Sequence, residues 1–376
     1  MRETADVVVI GGGSTGSSVA WHLACAGLTV RLLERGTIAS GSSCDSPGIV
    51  RQYYPNPALA RLAARGLRAY RQWAETFDGD CGYQRTGFLT GVAQAEWEHT
   101  GGQVHQQQSD GIGVELYSPT QMRALMADLE VDGLAGAVFE PDAGYCDARA
   151  TARSFAQGAR RFGAVIDEHR AARRINTVNG RVTGVETDRG RIDSPVVVNA
   201  AGPWAASLAA TCGANLPISA SRQSVAICRI GAQVDEARLP GYSERGLGFY
   251  LRRDSPGVYM IGSLAPDDSC PVDPDALRRQ MDGDVIRRYC ERAAQRFSRL
   301  SGASPVGSRV SFFDDTPDGN PIVGVDLRIE GLIVAAGLSG HGFKFAPVFG
   351  QEIAALIDGG KMHVDLHQFE VSRFID

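Results

Sequence analysis

Gly11, Gly13 and Gly16 follow the apolar strand-like run 6–10 with the spacing G-x-G-x-x-G. That spacing suits a pyrophosphate. The first glycine permits a tight turn, the second lets backbone approach the phosphates, and the third brings a helix close to its strand. Ser14 and Thr15 open that helix, whose free N–H groups and partial positive charge favour an anion. Glu34 closes a second apolar run, where a carboxylate can accept two hydrogen bonds from a ribose diol and repel a 2′-phosphate. The pattern fits FAD or NAD and disfavours NADP. A second glycine-rich turn, Gly337, Gly340 and Gly342, precedes Phe343-Lys344-Phe345. On pattern alone Lys344 reads as a surface lysine snorkelling from a helix start. A cation near a helix N-terminus is electrostatically misplaced, however, which points to an anionic partner.

The elements that must position these residues can be read from periodicity. Strand 6–10, helix 14–26 and strand 29–33 form a βαβ unit. Residues 36–57, rich in Gly, Ser and Pro, read as a loop. Helices are expected over 58–77, 118–128 and 148–162, with 94–109 an exposed polar helix or loop. Strands are expected over 86–91, 165–167, 173–178, 182–187 and 194–199, with Asn179-Gly180 as a hairpin signal. Residues 218–230 and 248–261 read as longer alternating strands of a more antiparallel layer, and 274–300 as one long amphipathic helix. Strand 329–335 and helix 346–357 close the chain.

Composition sets limits on partners. Of 376 residues 43% are hydrophobic and 22% charged, with a net charge of −5, which gives no reason to expect nucleic acid or an anionic membrane. No apolar run approaches the ~20 residues of a membrane span, and 1–6 carries no leader pattern. The eight cysteines form no C-x-x-C pair, so neither zinc nor a redox dithiol is expected, and scattered thiols fit a reducing cytoplasm. His363 and His367 read as a solvated surface pair, not a metal site.

Four blocks carry a resemblance: residues 35–41, Asn199-Ala-Ala-Gly-Pro-Trp204, Thr316-Pro-Asp-Gly-Asn-Pro-Ile322, and Gly337-Leu-Ser-Gly-His-Gly-Phe-Lys-Phe345, with Ser372-Arg373-Phe374 at the end. The chain resembles the D-amino-acid oxidase superfamily of flavoproteins, in its sarcosine oxidase and glycine oxidase branch. The likeness covers nearly the whole chain, loosely over 84–143. It implies FAD, and an α/β fold with a Rossmann-like FAD-binding domain (1–82, 142–213, 318–376) and an α+β substrate domain on an antiparallel sheet (83–141, 214–317). It implies cofactor contacts from Gly11, Gly13, Ser14, Thr15 and Gly16; from Glu34 and Arg35; from Ser42, Ser43 and Cys44; from Ala172; from Ala201, Gly202 and Trp204; and from Gly337, Ser339, Gly340, His341, Gly342, Phe343 and Lys344.

The resemblance also pairs Lys344 with Arg51 as a clamp on a substrate carboxylate, a planar fork with a point charge. Departures from the family pattern are as informative. Ser311 and Asp45 stand at two positions where relatives attach the flavin covalently, so the FAD is expected to be non-covalent, with Cys44 the nucleophile in the right loop. Met260 replaces a lysine used with oxygen. Gly48 and Cys44 replace an arginine and a histidine near the flavin. Leu264 and Phe313 replace polar or phenolic substrate contacts. Charge is therefore expected to be reduced around the reactive side of the ring, with slow reaction of the reduced flavin with oxygen. Tyr250, Phe249 and Tyr53 are candidates to line the amine end. The expected activity is oxidation of a small carboxylate-bearing amine, an amino acid or N-substituted amino acid, by hydride transfer from the carbon next to nitrogen, giving an imine. Oxygen or an electron-transfer acceptor would take the electrons. Two other readings are open: an accessory flavoprotein subunit of a hetero-oligomer, and an FAD-linked dehydrogenase of a hydroxy acid.

Overall fold

The computed structural model describes residues 3–231 and 239–374. Strand Val7–Ile10 is buried on both faces, as the central strand of a parallel sheet must be. It lies between Val30–Leu33 and Val196–Asn199, in a six-stranded sheet that runs Val165–Asp167, Val30–Leu33, Val7–Ile10, Val196–Asn199, Leu332–Ala336, Ile322–Val325. All neighbours are parallel except the last pair. Helix Ser14–Cys25 packs between helices Ala148–Arg161 and Gly342–Asp358. Small residues permit this. A Cβ on Gly350 would stand 2.2 Å from Ser18 Oγ, and one on Gly158 2.6 Å from the Trp21 ring. A separate sheet joins Glu3–Thr4 to the antiparallel strands Gly190–Asp193, Arg181–Thr187 and Ala172–Val178.

The second large sheet has nine strands. One face packs on helix Gly283–Ala294 through Phe249, Leu251, Tyr259, Ile261 and Val310. The opposite face looks toward the six-stranded sheet and carries Val92 and Val138 into the main core. Strict alternation therefore decides which side chains can reach the ends of the parallel strands.

Several elements differ from the sequence reading. Residues 248–261 form a hairpin, Phe249–Ser255 and Val258–Ser263, because Pro256-Gly257 makes the turn, with Gly257 at φ +68°. The helix expected over 274–300 begins only at Gly283. Residues before it are drawn into tertiary contacts: Asp275 binds Arg35 and Trp204, and the Gln280 carbonyl accepts from Arg222. The long strand Ser304–Asp315, paired along its length with Ser219–Arg229, was not anticipated, nor was Leu134–Glu140. Cys228 and Cys290 form a disulfide, where only free thiols were expected. No helix among the described residues is long and apolar enough to cross a membrane.

The closing helix starts at Gly342, four residues earlier than expected, and contains Pro347. Proline cannot donate to the carbonyl four residues back. Tyr70 supplies the missing donor, its O–H bonding the Phe343 carbonyl at 2.6 Å. Gly66 lets helix Pro57–Arg71 approach the Lys344 carbonyl, which a Cβ would meet at 2.1 Å. The first turn carrying Lys344 is thus pinned from its flank.

Candidate active site

At the fingerprint turn the backbone leaves no room for larger residues. Gly11 has φ +107°, and a Cβ there would stand 2.3 Å from the Ala200 carbonyl oxygen; one on Gly16 would stand 2.0 Å from that of Gly11. Ser14 and Thr15 are buried at the helix start, and the Ser14 N–H meets Ser43 Oγ at 3.1 Å. Gly13 faces the same hydroxyl. Glu34 accepts from the N–H groups of Gly12 (2.8 Å) and Gly36 (2.7 Å), which fixes its carboxylate at the strand end. The adjoining backbone is tied to 167–170 through Glu34 N–H to Asp167 and Arg170 N–H to Glu34, bringing Ala172 close in sequence to this corner. These residues fit an FAD: a glycine cradle before a helix N-terminus, then a carboxylate held at the next strand end. Arg35 lies over Trp204, 3.7 Å from its ring centroid, and both bind Asp275. Ala201 donates to Asn199, and Gly202 turns at φ +54°.

Ser42, Ser43 and Cys44 sit in a short 3-10 turn. The Cys44 thiol donates to the Gly41 carbonyl at 3.1 Å, and burial, with Asp45 beside it, pushes its pKa up. Asp45 pairs with Arg279 at 2.7 Å. A protonated, hydrogen-bonded thiol is a poor nucleophile.

The structure brings Arg51 and Lys344 together around one ring. The Arg51 guanidinium carbon lies 4.5 Å from the centroid of Tyr54, and Lys344 Nζ lies 5.8 Å from it. The Arg51 guanidinium also donates to the Tyr53 carbonyl. Lys344 is 6% exposed, and burial, with Arg51 adding repulsion, lowers its pKa to about 7; Glu140 opposes that shift. The Tyr54 hydroxyl and His341 Nδ1 are 3.0 Å apart. Burial pushes Tyr54 up to about 12 and holds His341 well below its usual value, with Lys344, Arg51 and Arg245 adding to the effect. The protonated phenol and the neutral imidazole share one hydrogen bond, in which either can be the donor.

Across from the clamp, pairing of Arg252 with Met260, Tyr250 with Gly262, and Ser221 with Phe313 aligns Tyr250, Arg252, Met260, Ser311 and Phe313 on one sheet face. The Phe313 ring packs against Gly340, where a Cβ would stand 2.5 Å from it, so this face meets the second glycine turn. Ser339 (φ +47°) donates to the Asp314 carbonyl and its hydroxyl accepts from Thr316, bracing that turn, and Gly337 takes φ +65°. Phe343 packs beside Tyr70 just beyond it.

Two expected lining residues face elsewhere. Phe249 points to the opposite core, against Tyr242. The Tyr53 hydroxyl binds Gln103 at 2.8 Å, and it is the next residue, Tyr54, whose ring both cations approach. Leu264 is 45% exposed. One charged side chain nonetheless lies on this face. Arg252, directly opposite Met260, is buried, donates to the Pro47 carbonyl at 2.5 Å, and lies over Tyr145. It is paired with Asp254 at 3.4 Å, so an arginine and its counter-charge stand beside Gly48. Tyr54, Glu140 and Arg252 were all missed. Tandem tyrosines at 53–54 were a signal for the first. An acid closing an apolar strand, Phe139-Glu140, was one for the second.

Several known proteins resemble the chain. It is 28% identical over 390 residues to 4-methylaminobutanoate oxidase (formaldehyde-forming) of Paenarthrobacter nicotinovorans, covering 98% of this chain and 45% of that protein. It is 27% identical over 401 residues to mitochondrial sarcosine dehydrogenase of Homo sapiens, covering 100% and 42%. The chain thus spans less than half the length of either. The crystal structure of L-proline dehydrogenase from P. horikoshii superposes with a TM-score of 0.89 at 25% identity, covering 100% of this chain and 98% of that one. A family model described as FAD dependent oxidoreductase matches residues 6–356, and the chain belongs to that family.

Proposed function

We propose that the protein oxidises a small amine bearing a carboxylate, an amino acid or N-substituted amino acid. The observation that carries this reading is the placement of Arg51 and Lys344 around the Tyr54 ring, at the start of the helix that follows the second glycine turn. The two cations share one buried acid, Glu140, so the pair is left with positive charge that an anionic ligand would balance. The named substrates of the three relatives are amines that also carry a carboxylate. Segments 1–82, 142–213 and 318–376 would hold the cofactor, and 83–141 with 214–317 the substrate.

Bound FAD would supply the acceptor for two electrons and the hydrogen on the carbon next to nitrogen, leaving an imine on the substrate. The chain's own residues do the rest. Arg51 and Lys344 bind the carboxylate and orient the substrate. Tyr54 offers its ring to both cations and its hydroxyl to His341. Tyr250, Met260 and Phe313 wall the amine end and exclude water. The cofactor contacts are the fingerprint residues, Glu34 and the 337–343 turn. Attachment is non-covalent, supported by Ser311 in place of a thiol, Asp45 engaged by Arg279, and a protonated Cys44. The electron acceptor is oxygen or an electron-transfer partner. A cytoplasmic setting is supported by the six cysteines that remain free and opposed by the Cys228–Cys290 bond.

The test is anaerobic bleaching of the flavin by matched amines and hydroxy acids. Bleaching by amino or N-alkylamino acids, and not by their amides, is the expected result. Bleaching only by hydroxy acids would replace the amine reading. No bleaching by any member, with FAD bound, would make the chain an accessory subunit.

A further inference from the structure

We propose that Glu140 is the positioning residue of the carboxylate clamp, a fixed counter-charge that holds the Arg51 segment and faces both cations. Glu140 ends strand Leu134–Glu140, paired with Phe88, and is 0% exposed. Its Oε2 accepts from the N–H groups of Gln52 and, at 2.9 Å, Tyr53. Those two residues lie between Arg51 and Tyr54, so one carboxylate oxygen sets the backbone from which the clamp is hung. Its Oε1 is buried with no hydrogen-bond partner. An unpaired buried carboxylate oxygen is expensive unless nearby charge compensates it. Arg51 and Lys344 both act on Glu140 favourably, against a burial that raises its pKa. Capping two N–H groups requires only a carbonyl oxygen. The charge is what a purely structural role leaves unexplained.

The consequence is a pH profile. The groups facing Lys344 are Arg51 and Tyr54 from the segment before helix Pro57–Arg71, Glu140 from the sheet, and His341 from the glycine turn, with Arg245 acting on His341 from the loop before strand Phe249–Ser255. Tyr54 stays protonated and His341 neutral near neutrality. Lys344 is then the clamp group that titrates there. Removing the Glu140 charge leaves burial and repulsion from Arg51 unopposed, so Lys344 loses its proton at lower pH.

The experiment uses the FAD-loaded protein, with propionate as a non-oxidisable probe and propionamide as its uncharged twin. Binding is read from perturbation of the flavin spectrum between pH 5.5 and 9. Glu140→Gln keeps a carbonyl oxygen for the cap. It should move the fall in propionate affinity down by roughly one pH unit and weaken propionate about tenfold at pH 8. Propionamide binding and FAD content should be unchanged, and KM for a turned-over substrate should rise more than kcat falls. Glu140→Asp keeps the charge and should keep the pH midpoint. Superimposable profiles for wild type and Glu140→Gln, equal losses for propionate and propionamide, or a shift in Glu140→Asp as large as in Glu140→Gln would each overturn the proposal. Should Glu140→Gln not yield loaded protein, the Glu140→Asp midpoint decides alone. The inference rests on the clamp reading, and the wild type tests that separately: equal affinity for propionate and propionamide at every pH removes the clamp itself.

Discussion

The two ends of the site are built from different materials. The fingerprint end is backbone: glycines, helix N–H groups and one carboxylate, contained within residues 7–36. The clamp end is side-chain charge, brought from Arg51, Glu140, Arg252 and Lys344 on four separate segments. Backbone sites fail by collision, because nothing can relax when a carbonyl stands 2.3 Å from a new methyl group. Charged sites fail by titration, because each member's state depends on the others. The first should therefore be all-or-none in cofactor content, and the second graded with pH.

The sharpest break is Gly11→Ala. With φ +107° and the Ala200 oxygen in the way, strain and clash together should cost about 3 kcal/mol or more, so FAD binding falls more than a hundredfold. The ratio of flavin to protein absorbance after purification reads this. A yellow, fully loaded Gly11→Ala protein would erase the contrast between the two ends.

Lys344→Met should leave FAD content intact and weaken a carboxylate ligand roughly ten- to hundredfold, the loss of one charge-assisted contact. It should also stabilise the ligand-free protein. The Lys344 pKa is depressed from 10.5 to about 7, so its burial penalty is full below pH 7 and fades as pH rises toward 10.5. Denaturant unfolding at pH 6 should show the variant more stable by about 1–3 kcal/mol, a gap that narrows at pH 9. A gap independent of pH would mean that Lys344 keeps its proton across this range, its pKa not lowered by burial.

Arg252→Met should slow reoxidation of the reduced flavin by oxygen about tenfold, as a buried cation beside Gly48 is lost. Stopped-flow reoxidation is the measurement, and an unchanged rate would place Arg252 outside the electrostatics of the reaction. The smallest effect separates neighbours. Tyr54→Phe removes the hydroxyl facing His341 but keeps the ring, costing about 1 kcal/mol, so KM should rise about fivefold. Tyr53→Phe should change KM little, since its hydroxyl serves Gln103. Reversed effects would reassign the two rings.

Legibility followed the same division. Gly11, Gly13, Gly16 and Glu34 are contiguous, and their spacing is the mechanism, so they could be read in order. Arg51 and Lys344 could be paired only through a family resemblance, because nothing local says that they share a ring. Phe249 and Tyr250 show what local reading lacks. Both are aromatics in one strand, and only the register with Val258–Ser263 shows which faces the site. Glu140 and Arg252 escape a local reading for different reasons: Leu134–Glu140 lies in the stretch of loosest resemblance, and Pro256-Gly257 turns 248–261 into a hairpin, so the register that faces Arg252 toward Met260 is not local. The helix expected over 274–300 failed for a related reason, since Asp275 and Gln280 find partners far along the chain.

Gly48 constrains the history of this site. Its φ is +66°, and a Cβ there would stand 2.0 Å from the Cys146 carbonyl oxygen, whose residue also donates its N–H to Gly48. A lineage with this loop cannot regain a basic residue at that position by one substitution; it would have to remodel two segments at once. Positive charge can return to the neighbourhood only from the facing sheet, where Arg252 already stands. Swapping residue 48 between relatives is therefore expected to fail in this background unless the segment containing Cys146 is exchanged with it.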